Sequence, residues 1–256
     1  MISQLKHARR RGPALAVALI GPDGAGKTTV TRLVAETLPV PSRTIYMGVN
    51  LESSTLMLPT TRLILMAKRA RGGRPDLTVS AHEDAAAQQR SLGERGARSA
   101  KSAVRMTSWV AEEWFRQAVA SYAQWRGEVV IFDRHFFCDY YAYDIVRRHG
   151  PRPLSARVHG SLLARVYPRP DLVVYLDAPA DVLHARKQEG TLEFLEQRRQ
   201  DYLSLADVFE QFVVIDAARP ADVVASEVAD VITGHLPPLT DHRRDHEGTT
   251  EIGAAT

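Results

Sequence analysis

The chain has a single cysteine, Cys138, among 256 residues. No internal disulfide can form, and this usage fits a reducing cytoplasm. No apolar run approaches the roughly eighteen residues that a membrane helix requires, so no spanning segment is expected. Neither charge sign is in large excess: Lys and Arg number 33 against 30 Asp and Glu, a formal +3. That surplus is too small to argue for a nucleic-acid partner. The nine histidines are scattered, with no zinc-type spacing among them or with Cys138, so no structural metal site is read. What remains is ordinary for a globular protein, 45% hydrophobic and 25% charged, at a length that suits one large α/β domain.

The N-terminus imitates a secretion signal. Lys6, Arg9, Arg10 and Arg11 precede the apolar run Ala14 to Ile20. The run is short, however, and passes into a glycine-rich loop without a small-residue cleavage site. A buried first strand preceded by a basic arm over residues 1–13 accounts for it better.

That loop is the most informative segment: Gly21-Pro22-Asp23-Gly24-Ala25-Gly26-Lys27-Thr28-Thr29. Four residues separate Gly21 from Gly26, which is followed by Lys and Thr, the P-loop spacing. A loop that wraps a triphosphate turns several backbone N–H groups inward, and glycine tolerates the close approach and positive φ this needs. Gly21, Gly24, Ala25, Gly26 and Thr29 would line the phosphates. Lys27 would reach the β- and γ-phosphates, and the Thr28 hydroxyl would ligate Mg²⁺. The helical pattern from Val30 to Thr37 would aim its N-terminus at the same anion. The segment predicts binding of a nucleoside triphosphate.

Four further strands are predicted at Arg43–Met47, Val129–Phe132, Leu172–Leu176 and Phe212–Ile215. They are continuous apolar runs, as parallel strands covered on both faces are. The last three end in Asp133, Asp177 and Asp216, at the strand ends where open α/β sheets bind ligands. Helical patterns lie at Trp109–Trp125, Asp181–Arg186, Leu192–Ala206 and Ala221–Ile232. The alternation predicts a single doubly wound parallel five-stranded sheet flanked by helices over residues 14–236. Residues 69–105 are poor in large apolar side chains and read as an exposed insertion, partly disordered or a lid. Residues 237–256 lack apolar anchors and read as a disordered tail.

Two absences narrow the class of P-loop protein. Asn50 is the sole asparagine, so the Asn-Lys-x-Asp element of guanine-specific switches is missing. None of the three strand-end acids is followed by a Glu to activate water, which favours transfer to a bound acceptor over hydrolysis. Asp133-Arg134-His135 supplies an acid to hold Mg²⁺ or orient the acceptor, and an arginine to clamp a phosphate.

These segments together resemble the thymidylate kinase family. Asp23 to Thr29 matches its D-G-A-G-K-[ST]-T loop, and Asp133-Arg134-His135 with the aromatics Tyr140, Tyr141 and Tyr143 is similar to its D-R-[YHS] segment. Pro170 to Asp177 is similar to its P-D-L-x-x-Y-L-D strand, and Phe194 to Ala206 resembles its helix after the lid. The order of the four is the family's order. The resemblance implies an α/β nucleoside monophosphate kinase fold and ATP-dependent phosphorylation of a nucleoside monophosphate with Mg²⁺, dTMP in the usual case. Lys27 and the loop amides would hold ATP, Thr28 and Asp133 the Mg²⁺. Arg134 would clamp the acceptor phosphate, and Asp23 would face the acceptor. Because Ala25 stands beside Asp23 where an arginine can stand, the catalytic arginine is expected from the lid, at Arg186 next to Lys187. Family members are commonly homodimers.

The acceptor side departs from the family. Its R-E-P-G-G-T segment is replaced by Tyr46-Met47-Gly48-Val49-Asn50-Leu51, without the arginine, and the lid Arg186 to Thr191 is short. Tyr141 would stack on a base or pack in the core. Two alternatives therefore stand beside the monophosphate kinase: a P-loop kinase of a sugar, sugar phosphate or metabolite alcohol, and a nucleotide-binding regulator without activity.

Overall fold

The computed structural model describes residues 14–48, 56–59, 61–63, 66, 92–141 and 165–236. The basic arm, the tail and residues 69–91 of the expected insertion lie outside them. Five strands, β1 (Ala16–Ile20), β2 (Ser42–Tyr46), β3 (Val129–Asp133), β4 (Leu172–Asp177) and β5 (Phe212–Asp216), form one sheet in the order β2-β3-β1-β4-β5. Every pairing is parallel. The doubly wound sheet expected from the sequence is the one observed.

Successive side chains of a strand face opposite sides, and here both sides are covered. Ala16, Ala18 and Ile20 of β1 join a cluster with Phe132, Tyr175, Tyr202 and the small residues Ala120 and Ala123. Val17 and Leu19 join a second cluster with Ile131, Val174, Leu176, Val30, Val34, Val224 and Val228. The first cluster lies under α2 (Leu92–Trp125), the second under α1 (Lys27–Thr37) and α6 (Ala221–His235). Burial on both faces is why the three central strands, β1, β3 and β4, read as unbroken apolar runs.

Helix α2 begins at Leu92, well before the expected Trp109. The last part of the segment read as an insertion, residues 92–105, is therefore helix. Its Ala and Arg content provides helix propensity without an apolar stripe, so periodicity alone missed it. A short helix α3 (Phe136–Tyr140) follows β3 and also escaped the sequence reading. Helix α4 (Ala180–Lys187) takes in Arg186 and Lys187 of the expected lid, and residues 188–191 connect it to α5 (Leu192–Leu203). The Thr191 hydroxyl caps α5 by accepting from the Phe194 N–H at 3.2 Å.

Candidate functional site

The loop after β1 is shaped by close backbone approaches. At Gly24, with φ of 89°, a Cβ would lie 2.6 Å from the Leu183 carbonyl oxygen of α4. At Gly21 a Cβ would meet the Leu176 carbonyl of β4 at 2.6 Å. The glycine spacing thus serves two neighbours, β4 and α4, as well as the inward turn of the amides.

Lys27 opens α1 and is buried. Its ammonium donates to the carbonyls of Gly21 at 2.8 Å and Pro22 at 2.7 Å. Burial, with Arg134 adding repulsion, pushes it down to about 8, against the pull of Asp23, Asp139 and Asp133. Beside it the Thr28 hydroxyl donates to Asp133 Oδ2 at 2.7 Å. Asp133 is only 3% exposed, and its Oδ1 has no hydrogen-bond partner. A buried carboxylate oxygen left unpaired next to a hydroxyl is a hard-oxygen pair that fits Mg²⁺. Among the described residues no group of three or more His, Cys, Asp or Glu could hold a metal ion. Mg²⁺ at this pair would therefore draw its other ligands from phosphate and water.

Arg134 has φ of 71°, a left-handed conformation that few non-glycine residues adopt. Its N–H donates to the Leu19 carbonyl at 3.0 Å, tying the end of β3 to β1. Its guanidinium donates to Asp23 Oδ1 at 2.5 Å, and Lys187 Nζ stands 3.5 Å from the same oxygen. Burial would raise the Asp23 carboxyl, but Arg134, Lys27 and Lys187 outweigh it and hold the group below its ordinary value. Asp23 thereby gathers the cation after β3 and the cation that ends α4 at one point on the loop.

The remaining expected residues go elsewhere. Arg186 donates to the carbonyls of Ala217 at 2.8 Å and Ala218 at 3.1 Å, on the loop after β5. The cation from this part of the chain on Asp23 is its neighbour Lys187. Tyr141 stacks on Phe137 with centroids 6.1 Å apart and packs against the first core cluster. Of the three strand-end acids, only Asp133 meets the P-loop. Asp177 is held in a two-point pair by Arg199, at 2.9 and 2.8 Å, and accepts from the Tyr175 hydroxyl at 3.0 Å. Asp216 accepts from the Ala218 N–H at 2.9 Å and so shapes the loop that Arg186 grips.

Sequence reasoning passed over a buried polar group behind this site. Glu112, Glu113, Arg116 and Gln117 of α2 are each at most 4% exposed. Burial pulls the Arg116 guanidinium below its ordinary value, against the attraction of Glu112. Asp139 of α3 is raised by burial while Arg134, the Tyr202 hydroxyl and Lys27 oppose the rise. The signal available for α2 was four adjacent-turn polar residues on a helix expected to bury a face.

Over 117 residues the chain is 29% identical to a probable thymidylate kinase of Archaeoglobus fulgidus, covering 43% of this chain and 56% of that protein. It is 31% identical over 75 residues to a thymidylate kinase of Thermosipho africanus, 26% of this chain and 37% of that one. With a thymidylate kinase of Fervidobacterium nodosum the figures are 29% over 119 residues, 43% and 58%. Over these segments the chain is similar to thymidylate kinases. The matches span little more than half the length of the curated relatives at most. No family model matches the chain. Among solved structures, the thymidylate kinase of Candida albicans superposes with a TM-score of 0.56 over 87% of this chain and 92% of that one. At 16% identity that likeness speaks for the fold.

Proposed function

We propose that this protein belongs with the thymidylate kinases and transfers the γ-phosphoryl group of ATP to a nucleoside monophosphate, dTMP in the first instance, giving ADP and the diphosphate. The observation that carries the reading is the joining of loop and strand ends: Thr28 on Asp133, and Arg134 with Lys187 on Asp23. Phosphoryl transfer asks mainly for alignment and charge neutralisation. Mg²⁺, held through Thr28 and Asp133, would supply neutralisation of the phosphate oxygens.

The chain's own groups account for the rest. Phosphate oxygens offer Lys27 a charged partner in place of two loop carbonyls, and the amides from Gly24 to Thr29 complete the cradle at the start of α1. Arg134 is held by its backbone over the loop, with a planar donor fork suited to the acceptor phosphate. An acceptor phosphate oxygen attacks the γ-phosphorus in line, and the bond to the β-bridging oxygen breaks with ADP as leaving group. No proton need be removed from a phosphate dianion, which agrees with the lack of a water-activating Glu. For Arg186 to reach the transferring group it must release Ala217 and Ala218. Until then it braces the loop after β5, and Lys187 is the lid cation nearer the acceptor.

The finer expectations are a reducing cytoplasm, which suits the buried Cys138, and the homodimer the resemblance implies, read by light scattering. A coupled ADP-release assay across nucleoside monophosphates tests the activity. Turnover with dTMP is expected, lowered on the order of a hundredfold or more in Lys27→Ala. ATP binding without turnover of any monophosphate overturns the proposal.

A further inference from the structure

Behind the loop that follows β2 lies an arginine that contributes nothing to the surface. Arg116 is 1% exposed, and its Nη1 donates to the carbonyls of both Tyr46 and Gly48, each at 3.2 Å. Its Nε and Nη2 have no hydrogen-bond partner, and Glu112 Oε2, also unpartnered, is 3.9 Å from the Nε. The other Glu112 oxygen accepts from the Leu58 N–H at 2.9 Å. A buried arginine so thinly paired is unfavourable for stability, and an apolar residue of similar size would pack there more easily.

The turn it grips touches the acceptor clamp directly. A Cβ at Gly48 would lie 2.2 Å from the Tyr46 hydroxyl and 2.9 Å from Arg134 Cδ. The Met47 N–H donates to the Asp133 carbonyl at 2.9 Å, fixing the same turn to the end of β3. Arg116 thus holds from within a turn against whose other side Arg134 rests. The turn itself offers no arginine. On the reading of the site as a monophosphate kinase, we propose that Arg116 is a positioning residue, which sets the Tyr46–Gly48 turn so that Arg134 meets the acceptor phosphate.

The test separates acceptor from donor. Glu112→Gln with Arg116→Met removes both buried charges, keeps an acceptor for Leu58, and leaves no unpaired ion. Its melting temperature is measured first, and Gly48→Ala, which displaces Tyr46 and Arg134 without touching Arg116, serves as the second variant. Both are expected to raise the KM for dTMP at least tenfold while the KM for Mg·ATP stays within twofold of wild type. Arg116→Lys, able to reach one carbonyl, should fall between. A folded double variant with an unchanged dTMP KM, or donor and acceptor KM rising together, overturns the inference and leaves the activity standing. A wild-type protein that phosphorylates no monophosphate overturns the activity and the acceptor role of Arg116 with it.

Discussion

His135 sits fully buried between the ring edges of Phe132, at 5.0 Å, and Tyr167, at 5.6 Å, with neither ring nitrogen hydrogen-bonded. Burial pushes it down to about 3, so the folded ring is neutral. In the unfolded chain it protonates near its ordinary value of about 6.5. The unfolded state therefore binds the extra proton between about pH 3 and 6.5. Stability is whole above that window and falls by about 1.4 kcal/mol per pH unit within it. His135→Phe should keep the edge contacts and flatten this part of the profile, raising the urea midpoint at pH 5 relative to wild type. An equally acid-sensitive variant contradicts a neutral buried ring. Lys27 makes the opposite trade between function and stability. Its folded value is lowered to about 8, so the buried ammonium opposes folding at neutral pH. Lys27→Met should raise the stability of the nucleotide-free protein by on the order of 1–2 kcal/mol while abolishing turnover. Calorimetry and the ADP assay on one preparation read both.

At the scale of elements, the join between β4 and α5 rests on a few charged contacts. Arg199 spans from Asp177 to Glu196, with its Nη1 2.6 Å from Glu196 Oε2. The Arg199 bonds outweigh burial and keep the Asp177 carboxyl below its usual range. Arg199→Ala should lower stability by roughly 1–3 kcal/mol, read in chemical denaturation, because it takes both guanidinium bonds from a largely buried carboxylate and leaves it only the Tyr175 hydroxyl. An unchanged midpoint would mean that α5 is held by Leu195 and Tyr202 packing alone. In the sequence Asp133, Asp177 and Asp216 look equivalent, since each ends an apolar strand. What separates them is a partner distant in the chain: Thr28 lies 105 residues from Asp133, and Arg199 lies 22 from Asp177. Strand ends are legible because they depend on local apolar runs and their neighbours. Which carboxylate meets the P-loop depends on how the elements assemble, and no local pattern encodes it. The same holds for Arg116, whose two acceptor carbonyls carry no side-chain signature.

The whole molecule follows from the order of its strands. The P-loop projects from β1, which lies between β3 and β4, so the ends of those two strands flank it. That much was readable, because unbroken apolar runs separated by helices, as at β1, β3 and β4, mark parallel strands covered on both faces. The acceptor side was less so: β2 at the sheet edge exposes Arg43 and Thr44, and the role proposed for its turn rests on backbone carbonyls. β1 also has a history imposed by this order. Its partners are Val130 and its neighbours on one side and Leu172 onward on the other, while β2, next to be made, does not touch it. Ala16 must wait for Val130, 114 residues later (130 minus 16). At roughly 5–20 residues per second of synthesis, that is on the order of 6–20 s. Through that interval a five-residue apolar strand and its phosphate loop have no sheet to enter. A nascent chain halted before β3 emerges should be retained by holdase chaperones and fail to bind ATP, and one extended past β4 should be released.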